Sequence, residues 1–352
     1  QETTMTSPPA PALTTYIAGL PKVELHVHHI GSASPRIVAE LAARHEGSTP
    51  VPADEAALAD YFTFHDFAHF VEVYLSVMDL VRDPADVWTL THEVARELAR
   101  QNVRYAEVTL SPYSSIVRGI PAEAFCEAVE DARVRAAADF GIELAWCFDI
   151  PGESGIPAAD VTLDAALRVR PDGLVSFGLG GPEIGVPRGQ FAPHFAQARA
   201  AGLRSVPHAG ESTGAPTVWD AIRLLGAERI GHGVRSIEDP ELVTYLAEHA
   251  IPLEVCPTSN IRTRSIASFD EHPLAALVDA GVPVSINSDD PPMFSTTLDH
   301  EYAVAADLLR LDEAGVTDLA RAAVHQSFRS SQGKAEVLAE IDAYAAASTW
   351  SA

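Results

Sequence analysis

Eight short apolar segments, separated by stretches with helical periodicity, constrain the fold of this 352-residue chain more than any other feature. The apolar segments occupy residues 23–27, 105–110, 142–150, 174–179, 203–207, 229–231, 252–255 and 282–286. Strands that are apolar throughout and alternate with helices are typical of a parallel sheet that is buried on both faces. Eight such repeats predict an α/β fold of the closed (β/α)8 TIM barrel type.

The connection after the first segment is much longer than the others, and we predict a helical insertion there over residues 35–100. Its aromatic part, residues 61–81, either packs as an amphipathic face on the barrel or covers the substrate as a lid, because loops after barrel strands surround the active site. Residues 1–18 contain three prolines and are predicted to form a disordered N-terminal tail. Residues 19–352 are predicted to be a single barrel domain that ends in helices.

The charge of the chain argues against a nucleic-acid partner. It has 49 acidic and 24 basic side chains, for a net charge of −25. Proteins that bind nucleic acid depend on clustered Lys and Arg, whereas the only lysines here are Lys22 and Lys334. The three cysteines are far apart and form no C-x-x-C motif, which argues against disulfides and a cysteine-built zinc site. With no basic leader and no long apolar run, we expect a cytoplasmic protein without a membrane partner.

The strongest chemical signal is His26-Val27-His28, at the end of the first apolar segment. Residues two apart in a strand point to the same side, so both imidazoles face one point at the barrel mouth. Neutral imidazole is the commonest zinc ligand, and catalytic zinc sites leave one position open for water. Alone, this motif is weak support for a metal, and the adjacent His29 is expected to point the other way.

Three further motifs follow the fifth, sixth and eighth apolar segments: His208-Ala209-Gly210-Glu211, Gly231-His232-Gly233 and Ser288-Asp289-Asp290-Pro291. Each has a simpler explanation as a loop, a tight turn or a helix N-cap. Their shared position favours function, because barrel active sites are assembled from the C-terminal ends of strands. Adjacent carboxylates are also costly unless a cation lies between them. Together the four motifs predict a metal site.

Six motifs occur in order at residues 21–28 (PKVELHVH), 178–183 (GLGGPE), 208–211 (HAGE), 231–233 (GHG), 256–260 (CPTSN) and 288–291 (SDDP). With these motifs, the chain resembles the adenosine deaminase family from residue 20 to about residue 344. The resemblance implies a metallo-dependent hydrolase with one Zn²⁺ per chain, which replaces the 6-amino group of an adenine nucleoside with oxygen.

By position, the resemblance implies the zinc ligands His26, His28, His208 and Asp289. It also implies that Glu211 donates a proton to purine N1, that His232 orients the attacking hydroxide, and that Asp289 accepts its proton. Asp290 would hydrogen-bond N7 and the Gly181 N–H would meet N3. The predicted substrate-binding residues are therefore His28, Ile30, Gly181 and Asp290.

Position 30 departs from the family pattern, because Ile30 stands where adenosine deaminases have an Asp and similar adenine deaminases a Glu. In the adenosine enzymes that Asp accepts a hydrogen bond from the ribose 5′-hydroxyl. A hydroxyl buried against Ile30 would cost about 1–3 kcal/mol. We therefore predict a 5′-modified adenine nucleoside as substrate.

The stretch 29–35 (HIGSASP) resembles a subgroup that deaminates 6-amino-6-deoxyfutalosine to futalosine and ammonia in menaquinone biosynthesis. The alternatives are adenosine, 5′-deoxyadenosine and methylthioadenosine. Partners for the substrate carboxylate could be His29, His65, His69, Arg82 or Arg118, with an apolar wall from residues 61–74. The sequence does not choose among them, and it leaves the oligomeric state open.

Two other enzyme classes fit less well. Zinc deaminases that act on bases in nucleic acid carry H-x-E and P-C-x-x-C motifs, and this chain has neither. Many two-metal barrel hydrolases bridge their metals with a mid-chain lysine, and no lysine lies between Lys22 and Lys334.

Overall fold

A computed structural model describes residues 11–62 and 67–348 and has eight parallel strands in one continuous order, each paired with the next. The strands are β1 (Lys22–His28), β2 (Val103–Leu110), β3 (Glu143–Pro151), β4 (Leu174–Gly180), β5 (Arg204–Ala209), β6 (Ile230–His232), β7 (Leu253–Val255) and β8 (Val284–Ile286). A parallel bridge between Val27 and Asp289 joins the first strand to the segment after the last one. The predicted (β/α)8 TIM barrel is confirmed, and each strand lies at its predicted apolar segment.

Helices surround the strands. Those before β4 are α1 (Pro11–Gly19), α2 (Pro35–Arg44), α3 (Glu55–Tyr61), α4 (Phe67–Met78), α5 (Pro84–Arg100), α6 (Pro112–Ile116), α7 (Ala122–Phe140) and α8 (Gly155–Asp164). Those after β4 are α9 (Ala192–Ala200), α10 (Ala215–Arg223), α11 (Pro240–Glu248), α12 (Pro257–Arg262), α13 (Leu274–Asp279), α14 (Leu298–Leu309), α15 (Glu313–Gln326) and α16 (Ser331–Ser348). Short single-turn segments occupy Gly152–Ser154, Ala165–Val169, Arg188–Phe191, Val234–Glu238 and Phe269–Glu271.

Local sequence explains where several helices begin. The Asp83 side chain accepts from the Asp86 N–H, and the Asp86 side chain accepts from the Asp83 N–H in return, which forms a capping box in front of α5. Asp239 caps α11 in the same position, and both helices begin with a proline, whose missing N–H costs nothing there. These signals set the helix starts, and the apolar faces bury against the barrel.

The long connection after β1 holds the four helices α2 to α5, in agreement with the predicted insertion over 35–100. The first and last of them bury their apolar faces, including Ile37, Leu41, Leu90 and Val94. Part of the aromatic segment, residues 63–66, lies outside the described residues. Whether this insertion moves as a lid stays a prediction.

The predicted disordered tail over residues 1–18 is wrong for its second half. Residues Pro11–Gly19 form α1, where Tyr16 and Ile17 are buried and the Tyr16 hydroxyl hydrogen-bonds Thr317 Oγ1 at 2.6 Å. Three prolines predicted disorder here, but the short apolar stretch after them packs against α14 and α15. Residues 1–10 lie outside the described part of the chain.

The described part of the chain ends in α15 and α16, in agreement with the helices predicted from the acidic, Ala-rich sequence there. Among the described residues, no helix is both long enough and apolar enough to cross a lipid bilayer.

Candidate metal centre and active site

Four side chains from distant parts of the sequence converge at the C-terminal edge of the barrel. The Nε2 atom of His28 lies 3.2 Å from His208 Nε2 and 3.2 Å from Asp289 Oδ1. The Nε2 atom of His26 lies 3.5 Å from the same Asp289 oxygen. The three histidines are mutually close enough for one ion to contact all of them. The structure thus brings together the four ligands that the sequence predicted.

The backbone explains why these groups meet. In β1 the two histidines alternate with Val27 and share a face, while Asp289 N donates to His26 O and His28 N donates to Asp289 O. Gly231 of β6 lies beside the histidines, and a Cβ there would come within 2.9 Å of His26 Cε1. Asp289 has a φ of 64°, a left-handed conformation that is rare outside glycine and that the barrel closure holds in place.

The chemistry of this donor set fits a divalent metal ion. His26 Nδ1 and Glu254 Oε2 are 2.9 Å apart, so Nδ1 donates to this carboxylate and Nε2 is the ring atom that would bind an ion. The buried Nε2 atom makes no hydrogen bond with any described residue. An unpartnered buried nitrogen is costly, and three imidazoles with one carboxylate form a set that Zn²⁺ favours.

A chain of buried charges supports His26 from behind. Glu254 Oε1 accepts from Arg229 Nε at 2.6 Å, and Arg229 also pairs with Glu107. All three side chains are almost fully buried, so each charge depends on its neighbour for stabilisation. Glu254 is not among the site residues that the sequence predicted. Its position between two apolar residues of β7 was the available signal, since a carboxylate inside an apolar strand must have a partner.

Glu211 and His232 face the cluster from the ends of β5 and β6. His232 Nε2 lies 3.7 Å from Glu211 Oε2 and 3.9 Å from Asp289 Oδ2. The Asn260 amide lies 3.3 Å from His232 Nδ1 and can donate to it, which leaves the proton on Nε2. His232 therefore points an N–H toward the space between the two carboxylates. Asn260 lies in the CPTSN motif at residues 256–260, for which the sequence predicted no role in the reaction.

The loop that carries Glu211 is held by Glu183, another residue without a predicted role. The Glu183 carboxylate accepts from the backbone N–H groups of Gly210, Glu211 and Ser212 at 2.8–2.9 Å. It also accepts from the Thr213 hydroxyl. One buried carboxylate thus fixes the backbone on both sides of Glu211. A consecutive run of N–H groups around an acid cannot be identified from sequence alone.

Burial and neighbouring charges shift the pKa values of the clustered groups. Burial lowers the pKa of His26, but Asp289 and Glu254 outweigh it and raise this pKa to about 10. Burial raises the pKa of Asp289, yet the neighbouring His26 and His28 hold it well below its usual range. Burial and the adjacent Asp289 raise the pKa of Asp290 to about 7. A metal ion that binds His26 and His28 would therefore displace a proton from each, whereas burial and the neighbouring histidines lower the pKa of His208.

The remaining predicted substrate-binding residues lie around the same mouth. Ile30 is partly buried and lines a cavity that also reaches His28. Asp290 approaches Gly31 so closely that a Cβ there would lie 1.5 Å from its Oδ1 atom, which explains the glycine. Gly181, at the end of β4, is exposed. His29 is buried and its Nε2 lies 2.8 Å from Thr91 Oγ1, so it stays outside the cluster as expected.

The sequence model of the adenosine deaminase family matches residues 21–344. An aminodeoxyfutalosine deaminase from Streptomyces avermitilis is 65% identical over 95% of this chain and 94% of its own length. The crystal structure of an adenine deaminase from Arthrobacter aurescens superposes with a TM-score of 0.86 at 30% identity, covering 93% of this chain and 99% of that one. An amidohydrolase from Burkholderia ambifaria with bound Zn has a TM-score of 0.86 at 25% identity, with coverage of 97% and 96%.

The fold and the histidine-carboxylate cluster define a barrel hydrolase with a candidate metal centre at the C-terminal edge of its strands. The chain belongs to the adenosine deaminase family.

Proposed function

We propose that this chain is a zinc-dependent hydrolytic deaminase that converts 6-amino-6-deoxyfutalosine to futalosine and ammonia. The observation that carries the chemistry is the convergence of three histidines and Asp289 beside Glu211 and His232. The substrate assignment is supported by the relative that is 65% identical over nearly the whole of both chains. It is also supported by Ile30, which cannot accept a hydrogen bond from a free 5′-hydroxyl.

The proposed metal is one Zn²⁺ per chain, held by His26, His28, His208 and Asp289. When bound, it would lower the pKa of water from 15.7 to about 7, which makes hydroxide available near neutral pH. Glu254 keeps the proton of His26 on Nδ1, so that Nε2 is free to bind.

Side chains of this protein would donate and accept the protons of the reaction. Glu211 donates a proton to purine N1 as the nucleophile adds to C6, because that addition places negative charge on N1. The Nε2–H of His232 orients the attacking oxygen, and Asp289 accepts its proton. Asp289 would then pass this proton to the 6-amino group as the C6–N bond breaks and ammonia leaves. The second Asp289 oxygen, Oδ2, accepts from Ser259 Oγ at 2.6 Å, which fixes the carboxylate.

Two groups would position the purine ring. N7 offers only a lone pair, so a protonated Asp290 carboxyl would donate to it, in accord with the raised pKa of Asp290. The backbone N–H of Gly181 would donate to N3. We also propose a cytoplasmic location, since all three cysteines are free and buried.

The test compares kcat/KM for aminodeoxyfutalosine, adenosine, 5′-deoxyadenosine and methylthioadenosine. We expect aminodeoxyfutalosine to be preferred. Deamination of adenosine at least tenfold more efficiently would overturn the proposed substrate. Two zinc ions per chain by metal analysis would overturn the mononuclear site.

Glu211→Gln keeps the shape of the side chain but removes its acidic proton. We expect this variant to retain zinc and lose turnover by about 10²–10⁴-fold, the usual contribution of general acid catalysis. Metal content and kcat are measured on the same preparation. Activity close to that of the parent enzyme would exclude Glu211 as the acid.

A further inference from the structure

A cavity opens beside the candidate metal centre and extends away from it between the insertion and the β2–α7 region. It reaches the metal centre at His28 and passes Ile30, the position that faces the 5′ end of the proposed substrate. A group attached to the 5′ carbon can therefore enter this cavity while the purine stays at the zinc ligands.

The two sides of this cavity differ in chemistry. One side is apolar and includes Tyr74 and Met78 from α4, Val81 just after it, and Phe125 from α7. Val81 and Phe125 are almost completely buried, so the packing around them holds both side chains in place. A flat aromatic ring fits such a surface because ring faces pack well against aromatic and aliphatic side chains.

The other side is polar and lies around α6. Ser111, Ser114 and Ser115 line the cavity there, and none of their hydroxyls hydrogen-bonds another described residue. Arg118 completes this side. Its Nε donates to Asp79 Oδ1 at 3.0 Å and its Nη1 donates to Ser114 O at 2.9 Å. These two hydrogen bonds orient the guanidinium. Its Nη2 makes no hydrogen bond to the described part of the chain.

The structure separates Arg118 from the other candidates that the sequence left open, of which His69 does not line the cavity. Arg82 donates from Nη1 to Ser48 Oγ at 2.7 Å and from Nη2 to Ser48 O at 2.9 Å, and it does not line the cavity. His29 lines the cavity, but its Nε2 is within hydrogen-bond distance of Thr91. His65 lies outside the described residues. Among the described cavity-lining residues, Arg118 is the one arginine or lysine.

We propose that Arg118 and the Ser111, Ser114 and Ser115 hydroxyls bind the carboxylate of an aromatic 5′ substituent, with the ring against Tyr74 and Phe125. This assignment rests on the proposed function. A guanidinium recognises a carboxylate through charge-assisted hydrogen bonds, and serine hydroxyls supply further donors. Arg118 already pairs with Asp79, so the substrate carboxylate would share the guanidinium with that side chain.

Arg118→Gln tests this assignment against Arg82→Gln, which removes an equal charge from the same neighbourhood. Both are assayed with aminodeoxyfutalosine and with its neutral carboxamide analogue. For Arg118→Gln we expect kcat/KM for the carboxylate substrate to fall about 10- to 100-fold, mainly through KM. The carboxamide should change less than about threefold, and Arg82→Gln should leave both substrates close to parent values.

Arg118→Lys keeps the charge but loses the planar guanidinium. Its kcat/KM for the carboxylate substrate should therefore lie between the values for the parent and for Arg118→Gln. Thermal unfolding and zinc content check that each variant is folded and loaded. Equal losses on both substrates, no loss in Arg118→Gln, or a carboxylate-specific loss in Arg82→Gln would overturn the assignment.

The parent enzyme separates the two proposals. If it prefers aminodeoxyfutalosine and Arg118→Gln keeps that preference, only the Arg118 assignment fails. If the parent enzyme prefers nucleosides without the carboxylate, the proposed substrate fails and this assignment fails with it.

Discussion

Single residues around the active site act mainly by holding others in place, and Glu183 is the clearest case. Its carboxylate accepts hydrogen bonds from three consecutive backbone N–H groups that include that of Glu211. It touches none of the four predicted zinc ligands directly in any described contact, so its effect on the reaction must pass through the Glu211 loop.

Glu183→Gln should therefore lower kcat more than it raises KM. The amide keeps one acceptor oxygen but turns the other into a donor that faces backbone N–H groups, which costs about 1–3 kcal/mol. We expect a kcat loss of about 10- to 100-fold with zinc content unchanged. Glu241→Gln, on the exposed surface of α11, is the control. An unchanged kcat with a lowered Tm would show that Glu183 stabilises the fold and does not position Glu211 for the reaction.

Substitution of Ile30 gives the most direct test of which substrate the enzyme prefers. Ile30→Asp supplies an acceptor for a 5′-hydroxyl and places a negative charge in the cavity that would receive the substrate carboxylate. The ratio of kcat/KM for adenosine to that for aminodeoxyfutalosine should rise about tenfold or more. Ile30→Leu keeps the apolar character and should leave the ratio near its parent value. The same ratio in both variants would show that position 30 does not contact the 5′ end.

At the scale of elements, buried carboxylates join helices to the ends of strands. Glu301 of α14 accepts from the Thr258 N–H at the start of α12 at 3.0 Å, and also from the Thr296 hydroxyl. Burial, reinforced by the charge of Asp289, raises the pKa of Glu301 from 4.5 to about 7. The folded chain therefore holds a proton on this side chain that the unfolded chain releases more readily.

This linkage predicts a pH-dependent difference between the parent enzyme and Glu301→Gln. Between pH 4.5 and about 7 the folded state binds more protons at Glu301 than the unfolded state, so stability from this group falls as pH rises. The loss is at most about 1.4 kcal/mol per pH unit. The glutamine stays neutral, so its stability relative to the parent should increase over this window and level off above it.

Urea unfolding at pH 5, 6, 7 and 8 measures this difference. Glu313→Gln, an exposed change at the start of α15, serves as the control and should run parallel to the parent at every pH. A pH-independent difference between Glu301→Gln and the parent would contradict the raised pKa.

At the scale of the whole molecule, the candidate zinc ligands tie together distant parts of the barrel. They come from β1, from β5 and from the segment after β8, where the Val27–Asp289 bridge joins the two ends of the sheet. An ion bound there would link the first strand to the last, so metal binding and barrel stability should be coupled.

Removal of zinc with a chelator should abolish activity and lower Tm. At free zinc between 100 and 1,000 times its Kd, the bound ion would add about 3–4 kcal/mol to the free energy of unfolding. Calorimetry of the apo and zinc-loaded protein measures the shift, and added Zn²⁺ should restore both properties. Mg²⁺ is the control, since imidazole ligands do not favour it. Full activity in metal-free protein would refute the zinc assignment.

The sequence by itself determined the barrel and the identity of the four candidate ligands. Apolar strands between amphipathic helices can bury both faces of a sheet only in a few ways, and the strand ends of a parallel barrel converge whatever the intervening chain does. His26 and His28 share a face because strand geometry has a period of two. Local rules of this kind need no knowledge of distant contacts.

The tertiary structure decided what depends on contacts between remote residues. The pairing of His26 with Glu254 spans 228 positions, and α1 gains order by packing against α14 and α15. The direction of each arginine also depends on remote residues, because Arg82 donates to Ser48, 34 positions away, and Arg118 donates to the Asp79 side chain, 39 positions away. The free energy of these contacts comes from burial and hydrogen-bond geometry, which exist only once the chain has folded.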